Sequence, residues 1–168
     1  MSLAFIHRKI TVSEGYMKNI KLLLLALTVA APLFAQTAQA QFAKPEDAIK
    51  YRQSALTLIS SHLGRMQPTV KGATPYDAAA IKANVDLLKT LSTLPWAAFP
   101  EGSQAGSDAK PEIWSDAAGF KQAQQKFEAA VVKLSDVSGS GDLEKLRAAF
   151  GDVGASCKAC HDSYRAKK

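Results

Sequence analysis

Residues 142–165 have the sequence DLEKLRAAFGDVGASCKACHDSYR, which predicts one amphipathic helix near the end of the chain. Asp142 is placed to cap its N-terminus. One face carries residues at three- and four-residue steps, as in a helix packed on a core: Leu143, Leu146, Phe150, Val153, Cys157, Cys160, His161 and Tyr164. The same stretch contains Cys-x-x-Cys-His, the sequence that attaches c-type haem. The two thiols bond to the haem vinyl groups, and the histidine supplies an axial nitrogen to the iron.

Two other interpretations of this motif were weighed against haem attachment. A structural zinc site needs more ligands, and residues 41–168 offer no further cysteine and only one further histidine, His62. A thioredoxin-like redox pair belongs to a βαβ setting, and no strand-like alternation occurs in this sequence. We therefore predict one covalent haem c, attached through Cys157 and Cys160, with His161 as the metal ligand.

The first 40 residues predict export. A short basic segment at residues 17–21 precedes an apolar run at residues 22–31, and Ala38-Gln39-Ala40 offers small residues for cleavage. The apolar run is too short for a convincing membrane span. We expect a Sec signal peptide over residues 17–40 and a periplasmic mature chain that begins at Gln41, without membrane insertion. Translation is expected to start at Met17, which makes residues 1–16 an artefact of the assigned start.

The remaining residues, 41–168, have a length typical of one domain. They contain 17 basic and 14 acidic residues, and two haem propionates would nearly cancel the resulting charge of +3. A balance this close to neutral gives no support to nucleic-acid binding. Because both cysteines are assigned to haem, no disulfide is expected.

Three further helices are predicted before the motif helix. The first runs from Pro45 to a stop at Pro68, and the second starts at Thr74-Pro75 and ends at Pro95. The third runs from about Ser115 to the Ser/Gly segment at residues 138–141. Helices of about 20 residues are about 30 Å long. Such a set of helices predicts an all-α, antiparallel up-down-up-down four-helix bundle, in which haem c replaces part of the core.

The connection between the second and third predicted helices is long. Residues 95–114 are rich in Pro, Gly and Ser, and this length is unusual for a simple loop. The segment also contains Trp96, Phe99 and Trp114. We therefore expect the loop to be partly packed.

The group opposite His161 on the iron decides the function. No methionine follows His161, so a sixth ligand would have to come from Met66 or His62. A group on the first helix that faces the haem would share the face of Leu56. At about 100° per residue, His62 lies about 240° and Met66 about 280° around the helix from Leu56. We predict that Met66 is a core residue near the helix end and that His62 is a surface histidine.

The whole mature chain resembles the class II cytochromes c, and cytochrome c′ in particular. The most specific segments are KPEDA at residues 44–48, YRQSAL at 51–56, LPWAAF at 94–99 and CKACHDSYR at 157–165. The resemblance implies a high-spin, five-coordinate haem with His161 as proximal ligand and Leu56 over the vacant position. It also implies binding of NO and CO, discrimination against oxygen, and a homodimer formed through the first two helices.

The resemblance implies further contacts with the haem. Arg52 and Gln53 would lie beside the propionates, Arg165 would be the basic residue on the proximal side, and Asp108 would approach the haem edge by analogy. Each arginine has an alternative. Arg52 could form a salt bridge with a neighbouring helix, and Arg165 could be a solvated cation favoured by the helix dipole.

Two functions from different classes follow. The first is a periplasmic protein that binds and buffers NO, and the second is a periplasmic one-electron carrier with an unknown redox partner. We expect no enzymatic activity, because no side chain suited to acid–base chemistry is predicted at the distal face. Four residues of the first helix lie on a flank away from the haem and are predicted to form the dimer interface: Tyr51, Ala55, Leu58 and His62.

Overall fold

The computed structural model describes residues 41–167, so the predicted signal peptide lies outside the described residues. The bundle contains α1 (Pro45–Val70), α2 (Ala78–Leu91), α3 (Ala117–Val137) and α4 (Leu143–Tyr164). Contacts join α1 to α2, α2 to α3, α3 to α4 and α4 to α1, which closes a four-helix bundle. The predicted all-α fold is confirmed. No helix in this part of the chain has the length and apolarity needed to cross a membrane.

Aspartates start three of the four helices. The carboxylate of Asp142 accepts hydrogen bonds from the backbone N–H groups of Glu144 and Lys145 at 3.1 Å, so the predicted cap of α4 is confirmed. Asp77 caps α2 and Asp116 caps α3 in the same way. These bonds satisfy N–H groups that have no partner within the helix. The hydrogen bonds from Lys145 hold the pKa of Asp142 below its ordinary value.

The predicted start of α2 at Thr74-Pro75 is wrong. The helix begins at Ala78, because Asp77 provides the cap and keeps an extended backbone. The helix therefore has 14 residues and is about 21 Å long, shorter than the other three helices and than the predicted common length.

The predicted stop of α1 at Pro68 is also wrong. The helix continues to Val70, with Pro68 inside its last turn. The chain leaves the helix at Gly72, which has a φ of 75°. Ala73 N–H donates to the carbonyl of Pro68 at 2.8 Å, and Gly72 N–H donates to that of Thr69 at 2.9 Å. This pair of bonds around a left-handed glycine is a Schellman motif.

The buried apolar residues form two clusters. The first cluster lies among the four helices and consists of Ile59, Met66, Ile81, Val85, Leu88, Phe127, Ala130, Val131, Leu134, Leu146, Ala149 and Val153. The second cluster consists of Ile113, Phe120 and Tyr164. Trp96 packs against both. Its ring lies edge-on to Phe120 and Phe127, with centroids 6.3 and 6.0 Å away, so the prediction of a partly packed loop is confirmed.

The long loop is attached to the end of α4. It starts with a 3₁₀ turn, Pro95–Ala98, and ends with a single helical turn, Glu112–Ser115. Between them, Lys110 N–H donates to the Tyr164 carbonyl at 3.0 Å, and Ala166 N–H donates to the Asp108 carbonyl at 2.8 Å. The loop therefore supplies a partner for a carbonyl at the C-terminus of α4.

One close contact joins α3 and α4. The Tyr164 hydroxyl donates to Asp116 Oδ2 at 2.8 Å, and this bond raises the pKa of Tyr164 to about 12. Asp116 Oδ1 accepts from Gly119 N–H at 3.1 Å. A Cβ at position 119 would overlap the Asp116 carboxylate and lie 2.5 Å from the Tyr164 hydroxyl. Only glycine leaves room for both hydrogen bonds.

We predict that Gly119→Ala lowers the free energy of unfolding by about 2 kcal/mol, because it breaks a cap and an inter-helix hydrogen bond. Urea unfolding followed by circular dichroism measures this loss. Gly151→Ala is the matched control, since nothing lies within 4 Å of a Cβ at that helical position. The free energy of unfolding of the Gly151→Ala control should rise by about 0.5–1 kcal/mol. Equal effects of the two substitutions would contradict the contact.

Candidate functional site

The two cysteines of the motif lie on the inward side of α4. They are three residues apart, so they occupy one face about one turn apart. Both are half-buried and carry free thiols. Cys157 packs against the first cluster and Cys160 against the second. Loss of solvent raises the pKa of both thiols.

His161 follows at the C-terminal end of α4. Partial desolvation lowers the pKa of its imidazole, and the positive charge of Arg165 lowers it further. Both effects favour the neutral ring, which is the form that ligates metals. Arg165 therefore lies close enough to His161 to act on its charge, and its place on the proximal side of the haem stays a prediction.

Leu56 lies at the edge of the buried face of α1 and is not covered. At about 100° per residue, it is within about 60° of Arg52 and Ile59 around the helix. Those two residues are 2% and 4% exposed, whereas Leu56 is 37% exposed. A leucine at this edge, with this exposure, offers apolar surface that a bound group could cover.

The residues fit a covalently attached haem. Two free thiols at helical spacing, an imidazole next in the chain and an incompletely covered leucine on a contacting helix are what such a group requires. Haem would supply a redox-active iron, and His161 would ligate it. Cys157 and Cys160 would hold it by their sulfur atoms.

Arg52 is buried, and its guanidinium fastens the long loop. Nη1 donates to the Ala98 carbonyl at 2.8 Å and to Ser103 Oγ at 2.7 Å. Nη2 donates to the Ser103 carbonyl and to Ser107 Oγ, the latter at 2.9 Å. The guanidinium also lies 4.5 Å from the ring centroid of Phe99. Burial lowers the pKa of Arg52.

All four hydrogen-bond acceptors of Arg52 are neutral, so none of these bonds is a salt bridge to a neighbouring helix. The predicted contact with a haem propionate stays a prediction. The two serines were not predicted from the sequence. A buried arginine needs several acceptors, but both serines are distant from Arg52 along the chain, so residue type and spacing do not identify them.

The two weaker site predictions, Gln53 and Asp108, differ in their settings. Gln53 is exposed on α1, and its backbone carbonyl accepts from the Thr57 hydroxyl at 2.8 Å. Asp108 is half-buried in the loop segment that forms a bridge with the end of α4, which brings its backbone close to Arg165. Proximity of either side chain to the haem stays a prediction.

The prediction that His62 is a surface histidine is wrong. Its side chain is 9% exposed, and Nδ1 is 2.7 Å from Asn84 Oδ1 on α2. Asn84 Nδ2 donates in turn to the His62 carbonyl at 2.8 Å. These two hydrogen bonds between His62 and Asn84 link α1 to α2. They hold the His62 ring in its buried position. The prediction that Met66 is a core residue is confirmed, since its side chain is fully buried in the first cluster.

The predicted dimer flank on α1 changes accordingly. Ala55 is 5% exposed and, like His62, is covered by its own chain, so neither is available to line an interface. Leu58 is 48% exposed and Tyr51 is half-buried. Leu58 and Tyr51 therefore stay available for the predicted dimer interface.

These features define a haem c protein built on a four-helix bundle. The family model of cytochrome c′ matches residues 47–165. Cytochrome c′ of Alcaligenes xylosoxydans xylosoxydans is 73% identical over 128 residues, which span 76% of this chain and the whole relative. Cytochrome c′ of Rubrivivax gelatinosus is 50% identical over 129 residues, again 76% of this chain and the whole relative.

Solved structures agree with the sequence relatives. The nitric oxide complex of a leucine-to-alanine mutant of cytochrome c prime from Alcaligenes xylosoxidans is 72% identical and superposes with a TM-score of 0.74. The match covers 76% of this chain and 100% of that chain. The chain belongs to the cytochrome c′ family, and it binds haem c.

We predict that Arg52→Lys releases the long loop, because a lysine ammonium cannot reproduce the planar fork of four hydrogen bonds. The free energy of unfolding should fall by about 2 kcal/mol. Limited proteolysis should cut within residues 99–110 faster than in the unchanged protein. Arg65→Lys, an exposed change on the same helix, is the control and should leave both measurements unchanged. Equal cleavage of the two variants would contradict the assigned role.

Proposed function

We propose that this protein binds NO and CO on a five-coordinate haem, at the face opposite His161, and buffers NO in the periplasm. The observation that carries the proposal is the placement of the two side chains that would otherwise bind iron. Met66 is sealed in the first cluster, and the ring of His62 is bonded to Asn84. Leu56 then remains as the residue over the vacant position.

The chemistry of leucine explains the choice of ligand. Bound oxygen develops negative charge and needs a hydrogen-bond donor, which Leu56 lacks. NO and CO are less polar when bound and lose less from an apolar face. Leucine also offers no group for proton transfer, so we propose ligand binding and not catalysis.

Relatives support NO as a ligand. Two solved structures of the Alcaligenes xylosoxidans protein with bound NO carry changes at a leucine, and a third carries one at an arginine. These are the residue types that we place on opposite sides of the iron, Leu56 above and Arg165 below. At 72% identity, the same pair of residues is expected to serve this chain.

The periplasmic location rests on the N-terminal sequence. A short basic segment, an apolar run and a small-residue cleavage site form a Sec signal pattern. The 73% identical relative is matched over its whole length by 128 residues, which is the number that remains after residue 40. This agreement supports cleavage before Gln41.

A one-electron carrier is the second candidate function. Such a carrier would gain from a haem with two protein ligands, because a constant coordination shell reorganises little when the iron changes charge. Neither Met66 nor His62 is placed to supply the second ligand. Of the two functions, ligand binding therefore has the stronger support.

We further propose a homodimer through α1 and α2. Leu58 on α1 and Leu87 on α2 are 48% and 56% exposed, and these helices contact each other. Large exposed leucines on neighbouring helices favour an apolar contact with a second copy.

We predict that Leu56→Ala speeds CO association with the ferrous protein by orders of magnitude, because the side chain no longer has to move aside. Flash photolysis or stopped-flow mixing measures the rate. Val132→Ala is the control, since Val132 is an exposed apolar residue on α3, outside both the site and the proposed dimer interface. Unchanged association kinetics in Leu56→Ala would show that Leu56 does not gate the site.

For the dimer, sedimentation equilibrium at micromolar concentration should give twice the mass of the mature chain. Leu58→Glu should shift the protein to a monomer, because a buried unpaired carboxylate is costly. Val132→Glu changes a comparably exposed residue, 42% exposed on α3, and should leave the dimer intact. A monomer for the unchanged protein would refute the proposed interface.

A further inference from the structure

A buried hydrogen-bond donor belongs to a ring that packs against the same apolar clusters as the thiols. Among the buried side-chain nitrogen and oxygen atoms of residues 41–167, Trp96 Nε1 is the one without a hydrogen-bond partner. Such atoms are rare in folded proteins, since an unpaired buried donor loses its hydration without compensation. The second tryptophan offers a comparison. Trp114 Nε1 donates to the Phe99 carbonyl at 3.1 Å.

Trp96 lies at the start of the long loop. Its ring packs against both apolar clusters, and the two thiols pack against the same clusters. It also belongs to the 3₁₀ turn Pro95–Ala98, which packs against α1. The Ala98 carbonyl of this turn accepts a hydrogen bond from Arg52 at 2.8 Å.

A single anionic acceptor would therefore suit two groups in this region, the Trp96 indole and the Arg52 guanidinium. The indole N–H of Trp96 has no partner, and the buried charge of Arg52 meets only neutral oxygens among its hydrogen-bond acceptors. A buried cation is stabilised by an anion nearby. In haem c the pyrrole nitrogens bind iron and the vinyl groups bind sulfur. The propionate carboxylates are then the only strong acceptors on the group.

We propose that the indole N–H of Trp96 donates a hydrogen bond to a haem propionate, on the side of the loop that Arg52 fastens. Trp96 is thus a positioning residue for the haem edge. The bond favours the ionised carboxylate and ties the 3₁₀ turn to the haem. This inference concerns how the haem is held and does not depend on whether NO is the ligand.

The test uses the ferrous CO form of the holoprotein, which is low-spin and diamagnetic, with ¹⁵N-labelled tryptophan. Trp114→Phe removes one of the two indole resonances and so assigns the other to Trp96. We expect the Trp96 N–H proton to exchange slowly with solvent and to move when the propionate is protonated at low pH. The Trp114 resonance should not follow that titration.

A second measurement follows the reduction potential as a function of pH. Trp96→Phe keeps the aromatic ring and removes the donor, so the propionate-linked ionisation should move about one unit to higher pH. Trp114→Phe is the control and should leave the pH of the propionate-linked ionisation unchanged. If the Trp96→Phe variant does not attach haem, the NMR experiment on the indole resonances tests the proposal by itself. Fast exchange of the Trp96 N–H with solvent, without a response to propionate protonation, would overturn the proposal and assign its partner to water.

Discussion

The site depends on the combination of an uncovered leucine on α1 with two free thiols on α4. Leu56 is 37% exposed although Arg52 and Ile59, on the same face, are buried. On the opposite helix, Cys157 and Cys160 are half-buried and free. A haem bonded to α4 would cover these apolar groups, so the group that carries the chemistry would also remove apolar surface from water.

The long loop ties the other parts of the site together. At one side, the Arg52 fork holds it to α1 through Ala98, Ser103 and Ser107. At the other, backbone bonds at residues 108–110 hold it to the end of α4, directly after His161. The loop therefore connects the helix proposed to cover the haem with the helix that carries it. A disturbance at Arg52 would reach both faces of the site.

The sequence predicted the parts of the molecule that rest on local chemistry. The haem motif, the Asp142 cap and the core position of Met66 follow from residue type and helical spacing. The start of α2 and the end of α1 were placed wrongly, because prolines suggested boundaries that Asp77 and Gly72 set. The burial of His62 and the serine acceptors of Arg52 could not be predicted, since each depends on a partner from a distant segment.

The central claim is that His161 binds the iron on one face and only hydrocarbon meets it on the other. The most direct measurement is the optical and EPR spectra of the purified holoprotein without added ligand, in both oxidation states. The account predicts a five-coordinate, predominantly high-spin ferric iron and a high-spin ferrous iron. A six-coordinate, low-spin spectrum in both states would contradict it, because a side chain of this chain would then occupy the position assigned to NO.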